Sequence, residues 1–121
     1  MVTILSGTFA GRDARGRIVP GGADWQELRS DGVLEIRAHY LLETDDSELI
    51  EVKSEGVRSA SAEVLARISR GETVSSNEYY FRTAIRLATA SARLARYNDL
   101  LAVARGERRA SSVVISVFEV L

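Results

Sequence analysis

Cysteine is absent from all 121 residues, and proline, histidine, tryptophan and methionine occur once each. A chain without cysteine has no disulfide, thiolate nucleophile, zinc–thiolate site or iron–sulfur ligand, and it needs no oxidising compartment, so a cytoplasmic setting is expected. The lone histidine, His39, rules out histidine-cluster metal sites, and no acidic run resembles a calcium loop. No metal and no cofactor are expected. Sixteen basic against seventeen acidic side chains leave a formal charge of -1, too little field to gather nucleic acid or an anionic membrane. No stretch reaches the roughly 18 apolar residues of a membrane span, and residues 1–11 lack the basic start and apolar run of a signal peptide.

What is present is a chain of ordinary size for one domain, residues 1–121, with 45% hydrophobic and 27% charged residues, a balance suited to one continuous core. Apolar and polar residues alternate along most of its length, broken by Gly, Asp and Ser clusters, which predicts half-buried antiparallel strands. Seven are expected, at Thr3–Phe9, Arg15–Val19, Val33–Glu43, Glu48–Gly56, Glu78–Leu87, Asn98–Ala104 and Ser112–Val120. In the clearest, Leu34, Ile36, Ala38, Tyr40, Leu42 and Thr44 share one face, and Asp45-Asp46 turns the chain into Ile50, Val52, Ser54 and Gly56. Between Ser59 and Gly71 the period becomes helical: Ser59 or Ser61 caps the start, Val64, Leu65 and Ile68 form a stripe, and Gly71 ends it. Residues Thr89 to Tyr97 read as a loop or single turn. Short strands with frequent turns define an all-β sandwich or barrel, and a barrel disposes of exposed edges.

The only proline and the only tryptophan meet in Pro20-Gly21-Gly22-Ala23-Asp24-Trp25. Proline fixes one backbone angle and the glycines allow positive φ, so this segment is expected to bend and swing Asp24 and Trp25 over the interior, as the lip of a pocket.

Gly7-Thr8-Phe9, the stretch from Val19 to Trp25, Tyr40-Leu41-Leu42-Glu43-Thr44-Asp45-Asp46, Tyr79-Tyr80-Phe81-Arg82-Thr83, Gly106-Glu107-Arg108-Arg109 and Val114 to Val120 occur in an order and spacing that resembles the domain of unknown function 3237 family, also called UPF0311. The match runs over nearly the whole chain. The resemblance implies a lipocalin-like antiparallel barrel with one short α-helix, found mostly in bacteria and fungi, with no general biochemical role established. Members usually carry a further strand before the position of Val2, so the barrel is expected to be incomplete or closed by a partner, and a homo-oligomer is expected. Ser47 stands where glycine is common after the Asp pair, Ile85 where proline is common, and Tyr97-Asn98 where an aromatic or leucine precedes the asparagine.

Two residues are candidates for catalysis. Asp24, held against the Trp25 indole, suits a general acid or base near neutral pH, against the plainer reading of a turn aspartate before a core tryptophan. Alternation along Glu78–Leu87 sends Tyr80, Arg82 and Arg86 to solvent; a ligand-holding barrel would instead turn Arg82 and Tyr80 inward, where Arg82 needs Asp24, Glu43 or an anionic ligand as partner. Trp25, Tyr40, Thr44, Tyr80 and Asn98 are the candidate ligand-binding residues, with hydroxyl or amide groups aimed at a small organic ligand. The runs Gly11–Arg17 and Gly106–Arg109 read as charged turns, and His39 as an exposed imidazole, with no GxSxG motif to support a serine nucleophile. Small inward residues, Ala38, Ser54, Gly56, Ala102 and Ala104, favour a cavity. Three functions compete: a cofactor-free enzyme acting on a small apolar or aromatic compound by isomerisation, cyclisation or elimination, a carrier or sensor of such a compound, and an interaction protein with a packed barrel.

Overall fold

The structure is a computed structural model that describes residues 2–4, 6–109 and 111–121. Eight strands form one antiparallel sheet: β1 (Val2–Ile4), β2 (Thr8–Ala10), β3 (Arg15–Leu28), β4 (Leu34–Thr44), β5 (Leu49–Ser59), β6 (Tyr80–Ala88), β7 (Leu101–Arg108) and β8 (Val113–Val120). They run in the order β1, β3, β4, β5, β6, β7, β8, with β2 also on β3. The sheet curls into a half-barrel whose outermost strands on that path, β1 and β8, do not pair with each other. No helix among the described residues is long and apolar enough to cross a membrane.

The fold class expected from alternation is the one observed, with differences in the strands. The expected Thr3–Phe9 strand is two short ones, both on β3. The expected Arg15–Val19 strand continues to Leu28, straight through Pro20-Gly21-Gly22, because the β3–β4 register slips between Val19 and Ala23. A bulge leaves residues without ladder bonds, so proline's missing N–H costs nothing there. Gly21 takes the left-handed conformation (φ 105°), and a Cβ on Gly22 would lie 2.6 Å from the Tyr40 Cβ, so the bulge presses β3 onto Tyr40. The strand expected at Asn98–Ala104 begins at Leu101 and runs to Arg108, so Gly106 is a buried strand residue and the turn follows it.

The one α-helix among the described residues, α1 (Ala62–Ser69), starts from the second of the two expected caps: Ser61 Oγ accepts from the Val64 N–H at 3.2 Å. Gly71, at φ 79°, closes it through an N–H bond to the Ile68 carbonyl. Ser61→Ala is expected to lower stability by about 1 kcal/mol in urea denaturation, because it orphans one N–H of the first turn. The helix covers one end of the half-barrel, where Val64 joins Ile36, Val74, Tyr79 and Phe81 in one apolar cluster. A second cluster, Val52, Ile85, Ala102 and Ala104, has Tyr40, Leu42, Leu87 and Leu100 against it.

Charged side chains tie down the segment 89–99. Glu48 accepts from Arg93, Ser91 and the Thr44 hydroxyl, and Arg93 also donates to the Asp13 carbonyl. Arg96 bridges Asp13 and Glu119. These bonds, with Arg93 first, hold the Glu48 carboxyl down at about 2. A carboxylate depressed in the folded state stabilises fully above its ordinary value and loses that contribution as pH falls toward the folded one. Stability is therefore expected to fall as pH drops from about 4.5 to about 2, and chemical denaturation of Glu48→Gln across that window is expected to show a shallower slope than the wild type.

Candidate functional site

Strand parity divides the residues singled out in the sequence between the two faces of the sheet. Asp24 pairs with Ala38 on the inner face, while Trp25, one residue on, pairs with Arg37 on the outer face. The indole is 41% exposed with the Arg37 guanidinium 6.0 Å from its centroid. The bend expected to carry both residues inward is a bulge inside a continuing strand, and alternation then separates them. Arg82 and Tyr80 also lie outward: Arg82 pairs with Val57 and Arg105, and its guanidinium sits 5.1 Å from the Tyr80 centroid, so the inward alternative does not describe them.

Thr44 points inward and is buried, but its hydroxyl is spent locally, donating to Glu48 Oε1 and accepting the Glu48 N–H, both at 3.0 Å. Asn98 lies in a 3-10 turn, Ala95–Asp99, and bonds the N–H and carbonyl of Thr89 at 2.8 and 3.0 Å. Both are ties of the 89–99 segment. His39 is exposed on the outer face, 3.2 Å from Glu51.

The inner face brings together a smaller set. Ala38, Ser54, Gly56, Thr83 and Ala104 are inward positions of β4 to β7 between the bulky residues of the two clusters, a floor of short side chains. Asp24 stands at its β3 end. Its Oδ1 is buried with no hydrogen-bond partner among the described residues, while Oδ2 accepts from Gln26 Nε2 at 3.3 Å. Tyr40 lies one inward step along β4 from Ala38, the residue opposite Asp24. Burial, and after it the Asp24 carboxylate, raises the Tyr40 phenol above its ordinary value, so at neutral pH it is a neutral hydrogen-bond donor.

Arg58 completes the set and is not among the residues the sequence points to, because the expected strand ends at Gly56. One more step of the pattern Ile50, Val52, Ser54, Gly56 would have found it. Its Nε is the second buried polar atom without a partner among the described residues. Burial, then the neighbouring Arg108 charge, lowers the guanidinium from its usual value, and the Asp24 carboxylate opposes that shift. The side chain stays charged at neutral pH. Among the described residues no group of three His, Asp or Glu side chains is placed to hold a metal ion.

A half-barrel with a carboxylate, a phenol and a guanidinium on its inner face is an antiparallel β-barrel-like protein. The chain belongs to the family described as Protein of unknown function (DUF3237), whose model matches residues 1–120. It is 36% identical to a UPF0311 protein of Rhodopseudomonas palustris over all of this chain and 79% of the relative, and a crystal structure of a conserved protein of unknown function from that organism superposes with a TM-score of 0.94 over 98% of this chain and 80% of that one. A β-barrel-like protein from Acinetobacter baumannii, also 36% identical, matches with a TM-score of 0.82 over 98% of this chain and 75% of its own. An enzyme from Penicillium herquei, 22% identical, shares the fold with a TM-score of 0.62 over 88% and 62% of the two chains.

Proposed function

We propose that the concave face binds a small organic molecule bearing a carbonyl or acidic hydroxyl oxygen, and that the protein is a cofactor-free enzyme in which Asp24 moves a proton on that molecule. What supports the reading is the pair of unpartnered buried atoms, Asp24 Oδ1 and Arg58 Nε, of opposite charge and on one face. A buried polar atom without a partner costs about 1–3 kcal/mol, which a ligand atom placed there recovers. Asp24 takes a proton from a carbon beside the carbonyl, the electron pair of the broken C–H bond forms a carbon–carbon double bond, and the carbonyl π pair moves onto the oxygen. The Tyr40 hydroxyl holds that oxygen as its charge grows, the positive Arg58 guanidinium on the same face offsets the added negative charge, and returning the proton to a different carbon completes an isomerisation. Such chemistry in a cysteine-free chain fits the cytoplasm.

Exchange of the methyl protons of acetophenone in heavy water, followed by NMR, tests the reading directly. The wild type is expected to accelerate exchange, and Asp24→Asn to slow it by about 100-fold while ligand-observed NMR shows affinity within a few fold of the wild type. A carrier would bind with no exchange in either protein, and that result would overturn the catalytic assignment. Fluorescence of Trp25 is the wrong reporter here, since its ring faces away from the groove.

A further inference from the structure

Arg82 on β6 and Arg105 on β7 are direct cross-strand partners on the convex face, away from Asp24. Like charges directly opposite each other repel and destabilise the pair, and a neighbouring carboxylate would offset this. Here neither guanidinium has one among the described residues. Arg82 Nη1 donates to the Phe81 carbonyl at 3.0 Å, and Arg105 Nη2 donates to Ser76 Oγ at 2.7 Å and Asn77 Oδ1 at 3.2 Å. All three acceptors are neutral. They fix where the two cations sit without cancelling charge, and each guanidinium keeps N–H donors to spare. The two arginines line an open cleft of about 400 Å³ with Ser59, Ser76, Asn77 and the half-exposed Tyr80. The one carboxylate on its wall, Glu78, is already engaged by Arg67 at 3.1 Å and by the Ser75 N–H at 3.2 Å.

We propose that this cleft is a second ligand site, for a small phosphate monoester. Two fixed positive charges call for a dianion, and a phosphate monoester carries about -1.5 to -2 near neutral pH where a carboxylate carries only -1. Its oxygens accept from both guanidiniums, a pairing Arg makes well. The Ser76 hydroxyl and the Asn77 amide add donors at the rim, and the open side of the Tyr80 ring takes an aromatic ester group.

Phenyl phosphate is the probe, titrated against the intact protein by calorimetry and by backbone amide NMR, with benzoate and inorganic phosphate alongside. Saturable binding of phenyl phosphate is expected, tighter than benzoate, with shifts clustered at residues 76–82 and 105. Arg82→Gln and Arg105→Gln are each expected to weaken it by about tenfold or more, and Tyr80→Leu is expected to weaken phenyl phosphate but not inorganic phosphate. Equal affinity of wild type and Arg82→Gln, or benzoate binding as well as phenyl phosphate, would overturn the site. Sedimentation with vesicles of phosphatidylcholine and phosphatidic acid separates a free ester from a lipid headgroup. The protein is expected to stay in the supernatant, and its loss to the pellet through these arginines would overturn the small-molecule assignment.

Discussion

Gly56→Ala is expected to cost about 3 kcal/mol or more, from overpacking where two backbones already touch. Gly56 pairs with Thr83 across β5 and β6, and a Cβ built on it would run into the Arg82 carbonyl oxygen and lie 2.6 Å from Thr83 Cα. The two nearest atoms are backbone, so a rotamer change at Thr83 does not relieve the clash, and the two strands must separate. At about 4 °C per kcal/mol for a domain of this size, the melting temperature is expected to fall by about 12 °C. Gly11→Ala is the control, because its added methyl would meet only the Ala14 carbonyl at an ordinary 3.6 Å, and a change within about 0.5 kcal/mol is expected. Equal melting of the two variants would show that β5 and β6 have slack at this level. Gly56 also belongs to the short-side-chain stretch of the inner face, so the close approach that demands glycine also fixes the register of Ser54 and Arg58 on either side of it.

The fold and the inward polar residues are legible in the sequence wherever period-two alternation runs unbroken. Along β4 it placed Ile36, Ala38, Tyr40 and Thr44 on the inner face, where they stand. The strand needed no long-range information, since an uninterrupted half-buried strand writes its burial into every second residue. At Pro20-Gly21-Gly22 the same rule gives no guidance, because proline and glycine pairs usually end a strand. The bulge that lets β3 continue depends on the register of β4, which is not local to the segment. Restoring alternation beyond the bulge puts Asp24 in and Trp25 out. For Thr44 the face was legible and the purpose was not: its hydroxyl serves Glu48, and Glu48 serves Arg93, 45 residues away. Arg82 shows the complementary case, in which plain alternation was right and the appeal to a ligand-lined interior was not needed.

The double variant Asp24→Leu/Arg58→Met is expected to lose binding of acetophenone by about 100-fold or more while unfolding at the same or a higher urea concentration than the wild type. The two effects have one cause. Two charged groups drawn from water on a concave face, each with a polar atom left unpartnered, weaken the empty fold, and replacing an interior pair of opposite charge by apolar side chains of similar volume is often neutral or stabilising. Methionine keeps the unbranched length of the Arg58 stem and adapts to the apolar cluster around Phe81. Each single variant removes one charge and leaves the other facing the groove, so each is expected to be less stable than the wild type by about 1–2 kcal/mol. The sum of the singles then exceeds the double, and that non-additivity measures the coupling between Asp24 and Arg58 directly. A double variant several kcal/mol less stable than the wild type would make the pair a structural ion pair, and would remove the reason to place a ligand between them. Stability retained while binding is lost is what distinguishes residues kept for a ligand from residues kept for the fold.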